Sequence, residues 1–312
     1  MSAKIVNQAV TIGRRQSLVG IVTQPAGYVP SGRPVCVILN SGIIHRVGHH
    51  RMYVALARML AAAGSQVLRF DLSGIGDSEN RLDGLSPLDA AIADIREAVD
   101  WLATSKSAQR IILIGLCSGA DHALIYGSSD PRVAGLVLLD PSIPPTLQYY
   151  CRYFARHLRQ PKSWGDMLIG RGRVWNWIRK FLGDRSEEVL ESHRIKLGDP
   201  AVRAYLESAY RRTMNLGTQC QAVFTSGFPH QHNYRRQILD AFPSVPFEGQ
   251  LRLDYFDGCD HVFTSEADRK RLFGVIMKWI QQPGFVETLP AATTGEAASA
   301  KDLQMQHASH GT

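Results

Sequence analysis

The run IILIGLCSGADHAL, residues 111–124, sets a cysteine between two glycines, after an apolar stretch and before a segment of helical character. A thiol at Cys117 can attack a carbonyl carbon, forming a thioester that water or another acceptor then cleaves. For the sulfur to stand clear, the backbone must bend sharply between strand and helix. Gly115 and Gly119 supply the room that larger side chains would fill. A serine hydroxyl is the commoner choice at such a turn. The thiol starts nearer to ionisation and depends less on a complete set of helpers. Those helpers are a base, a group that orients it and donors for the developing oxyanion.

The elements around this turn follow from the apolar pattern. VTIGRRQSLVGIVTQP alternates like a hairpin, and PVCVILNSG (34–42) is a continuous apolar run suited to a buried parallel strand. His50 to Ala63 reads as a helix closed by Gly64, followed by the strand SQVLRFDL. Ser86 and Pro87 supply the N-cap and first position of a helix running to about Thr104. RIILIGL and VAGLVLLDP are further buried strands, QAVFTSG (221–227) and QLRLDYFDG (250–258) resume the pattern, and Ser265–Gln281 closes it as a helix. Strand and helix alternating at these lengths predict a doubly wound, mostly parallel α/β sheet.

Between Pro141 and Leu216 the composition changes. Residues 146–185 hold Arg152, Arg156, Arg159, Lys162, Arg171, Arg173, Arg179, Lys180 and Arg185 against Asp166 and Asp184, together with many aromatic residues. Residues 1–140 and 217–282 are therefore expected to form the core, 141–216 a helical cap insertion and 283–312 a disordered tail rich in Ala, Thr, Ser and Gly. The net charge of +7 is concentrated in the insertion, with no lysine stripe or nucleic-acid module, so no nucleic-acid partner is expected. No run approaches the roughly 18 apolar residues of a membrane span. MSAKIVNQAV lacks the order of a signal peptide, and a cytoplasmic location is expected. The five cysteines show neither CxxC spacing nor a disulfide framework. Cys259, Asp260 and His261 beside His230 and His232 have no recognised ligand spacing, so neither a metal nor a cofactor is expected.

Four stretches in order, LNSGIIHRVGHHR (39–51), RFDLSGIGDS (69–78), the glycine-bracketed turn and GCDHVF (258–263), resemble an α/β-hydrolase of the serine-aminopeptidase-like group. A weaker similarity is to exosortase-associated hydrolases. The resemblance covers roughly residues 30–140 and 218–282 and implies the α/β-hydrolase fold. It also implies that His261, just past the last strand, is the base, and that the N–H groups of Ser118 and of Ile43, at the end of the SGII strand, form the oxyanion hole. The orienting acid departs from the pattern. Its usual place follows strand 221–227, but GFPHQHNYRRQILD offers no carboxylate before Asp240. Asp140, at the end of the preceding strand, is the other position from which the fold can supply one. Asn233 or a histidine of HQH, or a bare Cys–His pair, remain alternatives. His45 and Arg51 are candidates for substrate binding, or for capping the helix that follows them.

The expected reaction is hydrolysis of a small-molecule acyl ester or thioester, CoA- and carrier-protein-bound thioesters among them, through an acyl group on Cys117. Acyl transfer to an amine, alcohol or thiol is the alternative, and a non-catalytic binding protein a third.

Overall fold

The computed structural model describes residues 4–13, 17–30, 32–158, 197–229 and 231–285. Strands β1 (Ile5–Ile12), β2 (Leu18–Pro25), β3 (Val35–Ile38), β4 (Val67–Phe70), β5 (Ile111–Leu116), β6 (Val133–Leu139), β7 (Gln219–Thr225) and β8 (Leu251–Phe256) form one sheet. Their order is β1-β2-β4-β3-β5-β6-β7-β8, antiparallel at β1/β2 and β2/β4 and parallel elsewhere. The central strands read as apolar runs because both faces are covered. Along β5, Ile111 and Leu113 enter the core on one side, while Ile112, Ile114 and Leu116 enter the core on the other.

One face is covered by α2 (Pro87–Lys106), α3 (Ser118–Gly127) and α5 (Pro200–Asn215), the other by α1 (Met52–Ala62) and α7 (Glu266–Ile280). Two further helices, α4 (Leu147–Leu158) and the short α6 (Gln237–Ala241), lie in the connections after β6 and β7. Ser86 caps α2 as its sequence predicts, its Oγ accepting from Asp89 N at 3.2 Å. No described helix is long and apolar enough to cross a membrane.

The expected cap is described only at its ends, α4 and α5, and its central residues 159–196 lie outside the described residues. Helix α5 buries Leu206, Ala209 and Tyr210 in the same core as α3, so the last part of the insertion belongs to the helical layer of the sheet. At the other end the chain turns after α7 to bury Phe285 against Trp279, with Gly284 O accepting from Arg110. Residues 283–285 of the expected tail are thus held to the core. The rest of it lies outside the described residues.

Candidate active site

Cys117 takes φ 57 and ψ −122 between β5 and α3, a conformation that costs a non-glycine residue about 1–3 kcal/mol and persists only under pressure from its surroundings. Those surroundings are specific. Its N–H donates to Leu139 O at 2.9 Å, and its carbonyl accepts from Ala120 N and Asp121 N, closing the first turn of α3. A Cβ on Gly115 would collide with the backbone of Gly119, and one on Gly119 would collide with Asn40 O. The two glycines thus let α3 press against its own strand and the end of β3, leaving the Cys117 side chain half-buried at the turn.

His261 stands on the loop after β8, with Nδ1 2.8 Å from Asp140 Oδ2 and Cys117 near enough to act on its pKa. Burial alone would lower its pKa. Asp140 and Cys117 outweigh that and push it up to about 9. Phe228 stacks on the ring at 4.1 Å and 12°. Asp140 is fully buried at the end of β6, and burial by itself would raise its pKa. Hydrogen bonds from His232 and His261, the charge of His232 and the Thr225 hydroxyl bring it below the ordinary carboxylate value.

The position of the acid follows from strand register. Leu139 of β6 pairs with Val223 of β7, and Asp140 N continues the ladder to Val223 O at 2.8 Å. Asp140 therefore arrives beside Thr225, at the end of the strand after which the family pattern places its carboxylate. Thr225 donates both its N–H and its hydroxyl to Asp140, each at 2.7 Å. Asn233 does not orient His261, because its Nδ2 donates to Tyr149 O. His232 lies against the other carboxylate oxygen, with Nε2 3.0 Å from Asp140 Oδ1. One histidine of HQH thus enters the site, through the acid and not through His261.

Ser118 is the first residue of α3, so its N–H has no intrahelical partner. Ile43 does not end a strand as expected. β3 stops at Ile38, and Ser41 to Ile44 form a tight turn closed by Ile44 N to Ser41 O, leaving the Ile43 side chain 89% exposed. That turn is fastened at both ends. Gly42 N donates to Ser118 Oγ at 2.8 Å, and Asn40 Nδ2 donates to Ile44 O and to Asp71 Oδ1. Arg46 pairs with Asp71 and Asp77, so the stretch 71–78, read from sequence as turn geometry, also carries an ion pair that secures this loop. His45 is exposed beside Gly76, and Arg51 is exposed in a left-handed conformation ahead of α1. His49 is the member of this cluster that feels His261: burial first, then the charge of His261, lower its pKa.

Helix α3 is also tied to the acid. Asp121, one turn after Cys117, accepts from Ser142 N at 2.8 Å and Ser142 Oγ at 2.7 Å, and burial pushes its pKa up to about 6. A cavity of about 800 Å³ opens beside Gly42 and Ser118 and runs between α2, α3 and α5, with Ile75, Ala91, Ile125 and Val202 on its walls. Among the described residues no group of histidine, cysteine and acidic side chains could hold a metal ion, and all five cysteines are free.

A family model for serine aminopeptidase, S33, matches residues 36–208, more than half of the chain. A search of curated protein sequences gave no match. Among solved structures, the esterase Pf2001 of Pyrococcus furiosus superposes with a TM-score of 0.53 at 15% identity, covering 89% of this chain and 90% of that one. Est1E from Butyrivibrio proteoclasticus, solved with ferulic acid bound, gives a TM-score of 0.51 at 15% identity over 84% and 94% of the two chains.

Proposed function

From the premise that the chain belongs to the serine aminopeptidase S33 family of α/β-hydrolases, we propose that it is an acyl hydrolase whose nucleophile is the Cys117 thiol. The observation that carries this reading is the chain of contacts from Cys117, held at positive φ, to His261 and on to Asp140. In the first half-reaction Sγ attacks the carbonyl carbon of an ester or thioester, its proton held by His261, whose raised pKa keeps it there. The N–H groups of Ser118 and Ile43 receive the oxyanion. Collapse expels the alcohol or thiol, which leaves with the proton from His261, and the acyl group stays on sulfur. Water then attacks this thioester, His261 takes a proton from the water, and the carboxylic acid departs as Cys117 recovers its hydrogen.

The cavity beside Gly42 and Ser118 offers an apolar place for the acyl part of a small-molecule substrate. The bound ligand of Est1E, an aromatic acid, is of a size that such a space would admit. Intact-mass analysis after mixing the protein with p-nitrophenyl esters and acyl thioesters tests the reading, with time courses run with and without added amine or thiol acceptors. An acyl adduct on Cys117 that decays to free acid is expected. Cys117→Ala should lower turnover at least about 10³-fold, whereas Cys117→Ser should retain measurable, altered activity. Full activity in the alanine variant overturns the assignment, and an acyl product on the added acceptor would make the protein a transferase.

A further inference from the structure

We propose that His232 is a positioning residue for Asp140, holding the carboxylate ionised and turned so that Oδ2 faces His261. The inference rests on the site reading above for its link to catalysis, but its geometry stands apart from the nature of the nucleophile.

Asp140 has no contact with solvent, and four donors surround its two oxygens. Oδ1 receives Thr225 N and His232 Nε2; Oδ2 receives Thr225 Oγ1 and His261 Nδ1. A carboxylate oxygen is an acceptor, so the ring nitrogen facing it carries the hydrogen, which fixes His232 with a proton on Nε2. Its Nδ1 is buried with no hydrogen-bond partner among the described residues. The ring therefore meets the carboxylate as a one-sided donor, through Nε2. The niche that holds it is aromatic: Phe224 meets the ring edge-on at 4.9 Å, and Phe228, which also stacks on His261, lies at 6.2 Å. This fully buried imidazole is paired to the one carboxylate that also holds the candidate base. What a phenyl ring cannot supply is the hydrogen to Oδ1.

Removing that donor leaves Asp140, which has no solvent-exposed surface, with three partners. The carboxylate then gains from turning or from sharing a proton, and either change weakens its hold on His261. The His261 pKa should fall toward the ordinary histidine value of about 6.5. Other titratable groups face the pair. Tyr255 on β8 and Cys259 on the following loop both feel Asp140, Arg152 and Arg156 of α4 lie near Tyr255, and His261 meets Cys117 and His49. Burial chiefly raises Tyr255 and Cys259, taking Cys259 up to about 12, and lowers His49, whose signal the His261→Gln variant separates from that of His261.

The test compares His232→Phe, which keeps an aromatic ring in the niche, with His232→Gln, whose amide N–H₂ reaches the place of Nε2. The imidazole of His261 is titrated by NMR in protein labelled at histidine, its signal identified by loss in His261→Gln. Turnover is measured in parallel. We expect the phenylalanine variant to lower the His261 pKa by at least one unit and kcat about 10- to 100-fold with KM within about twofold, and the glutamine variant to restore most of both. If the phenylalanine variant does not fold, Thr225→Val removes a different donor from the same carboxylate and should move His261 in the same direction. An unmoved or raised His261 pKa, or equal behaviour of the phenylalanine and glutamine variants, overturns the proposal. An NMR shift without any acyl adduct on wild-type Cys117 would instead overturn the hydrolase reading and leave the positioning role intact.

Discussion

His261 carries a pH signature that can be read in stability as well as in rate. Burial pulls its pKa down, but Asp140 and Cys117 push it up to about 9, above the roughly 6.5 of an unfolded chain. A raised folded-state pKa means the stabilising term is fully present below about pH 6.5 and is lost as pH rises through 9. The melting-temperature gap between wild type and His261→Gln, measured across that interval, should shrink as pH rises. A constant gap would show that the ring is not held by these partners. Buried Asp121, raised to about 6, loses its own contribution at lower pH, between about 3.8 and 6, so the two do not overlap. Much at this scale was readable in advance. Gly115 and Gly119 are dictated by collision with backbone, and Cys117 follows from their spacing. Asp140 stood among several candidates because a carboxylate's partners depend on which strand lies beside it, and the pairing of β6 with β7 is a tertiary fact. Phe228 was illegible as a site residue, and HQH stood as a candidate without showing which histidine or which partner, for the same reason: they lie on a connection, where no periodicity indicates which way a side chain faces.

Elements are where patterning served best, since a continuous apolar run and a capped amphipathic segment each report burial directly. It failed at LNSGII, where an apolar stretch runs past the end of β3 into a turn. The turn is held by the Asn40 amide and by Gly42 N to Ser118 Oγ, bonds that leave no mark in hydropathy. It also placed 200–215 in a cap, although α5 lies in the main helical layer and forms one wall of the cavity beside Ser118. That wall gives a measurable consequence. Each methylene of an acyl chain buried there contributes about 0.8 kcal/mol, roughly fourfold in rate. Val202→Trp should narrow the cavity and lower kcat/KM for an octanoyl ester at least about tenfold while changing that for an acetyl ester less than about threefold. Equal losses on both esters in a steady-state comparison would place the acyl chain elsewhere.

For the molecule as a whole, the excess of cations in the insertion bears on which leaving group is preferred. Of the nine basic residues between 146 and 185, Arg152 and Arg156 lie among the described residues, and Arg152 stacks over the Tyr234 ring at 5.1 Å. If the cluster meets an anionic carrier, a CoA thioester should be hydrolysed faster than an uncharged thioester of the same acyl chain at about 10 mM salt. The preference should fade as the screening length drops from about 30 Å to about 8 Å near 0.15 M. Equal rates at both salt concentrations would reduce the cluster to surface charge. The placement of Asp140 on β6 has a different kind of consequence. Thiol and carboxylate lie upstream of the insertion, 23 positions apart on neighbouring strands, and both imidazoles that touch the carboxylate, His232 and His261, lie downstream of it. A single break within the insertion would therefore divide the chain into an acidic-nucleophilic piece and a basic piece. Neither half would hold all the groups the proposed reaction uses, and any activity on mixing them would count reassembled molecules.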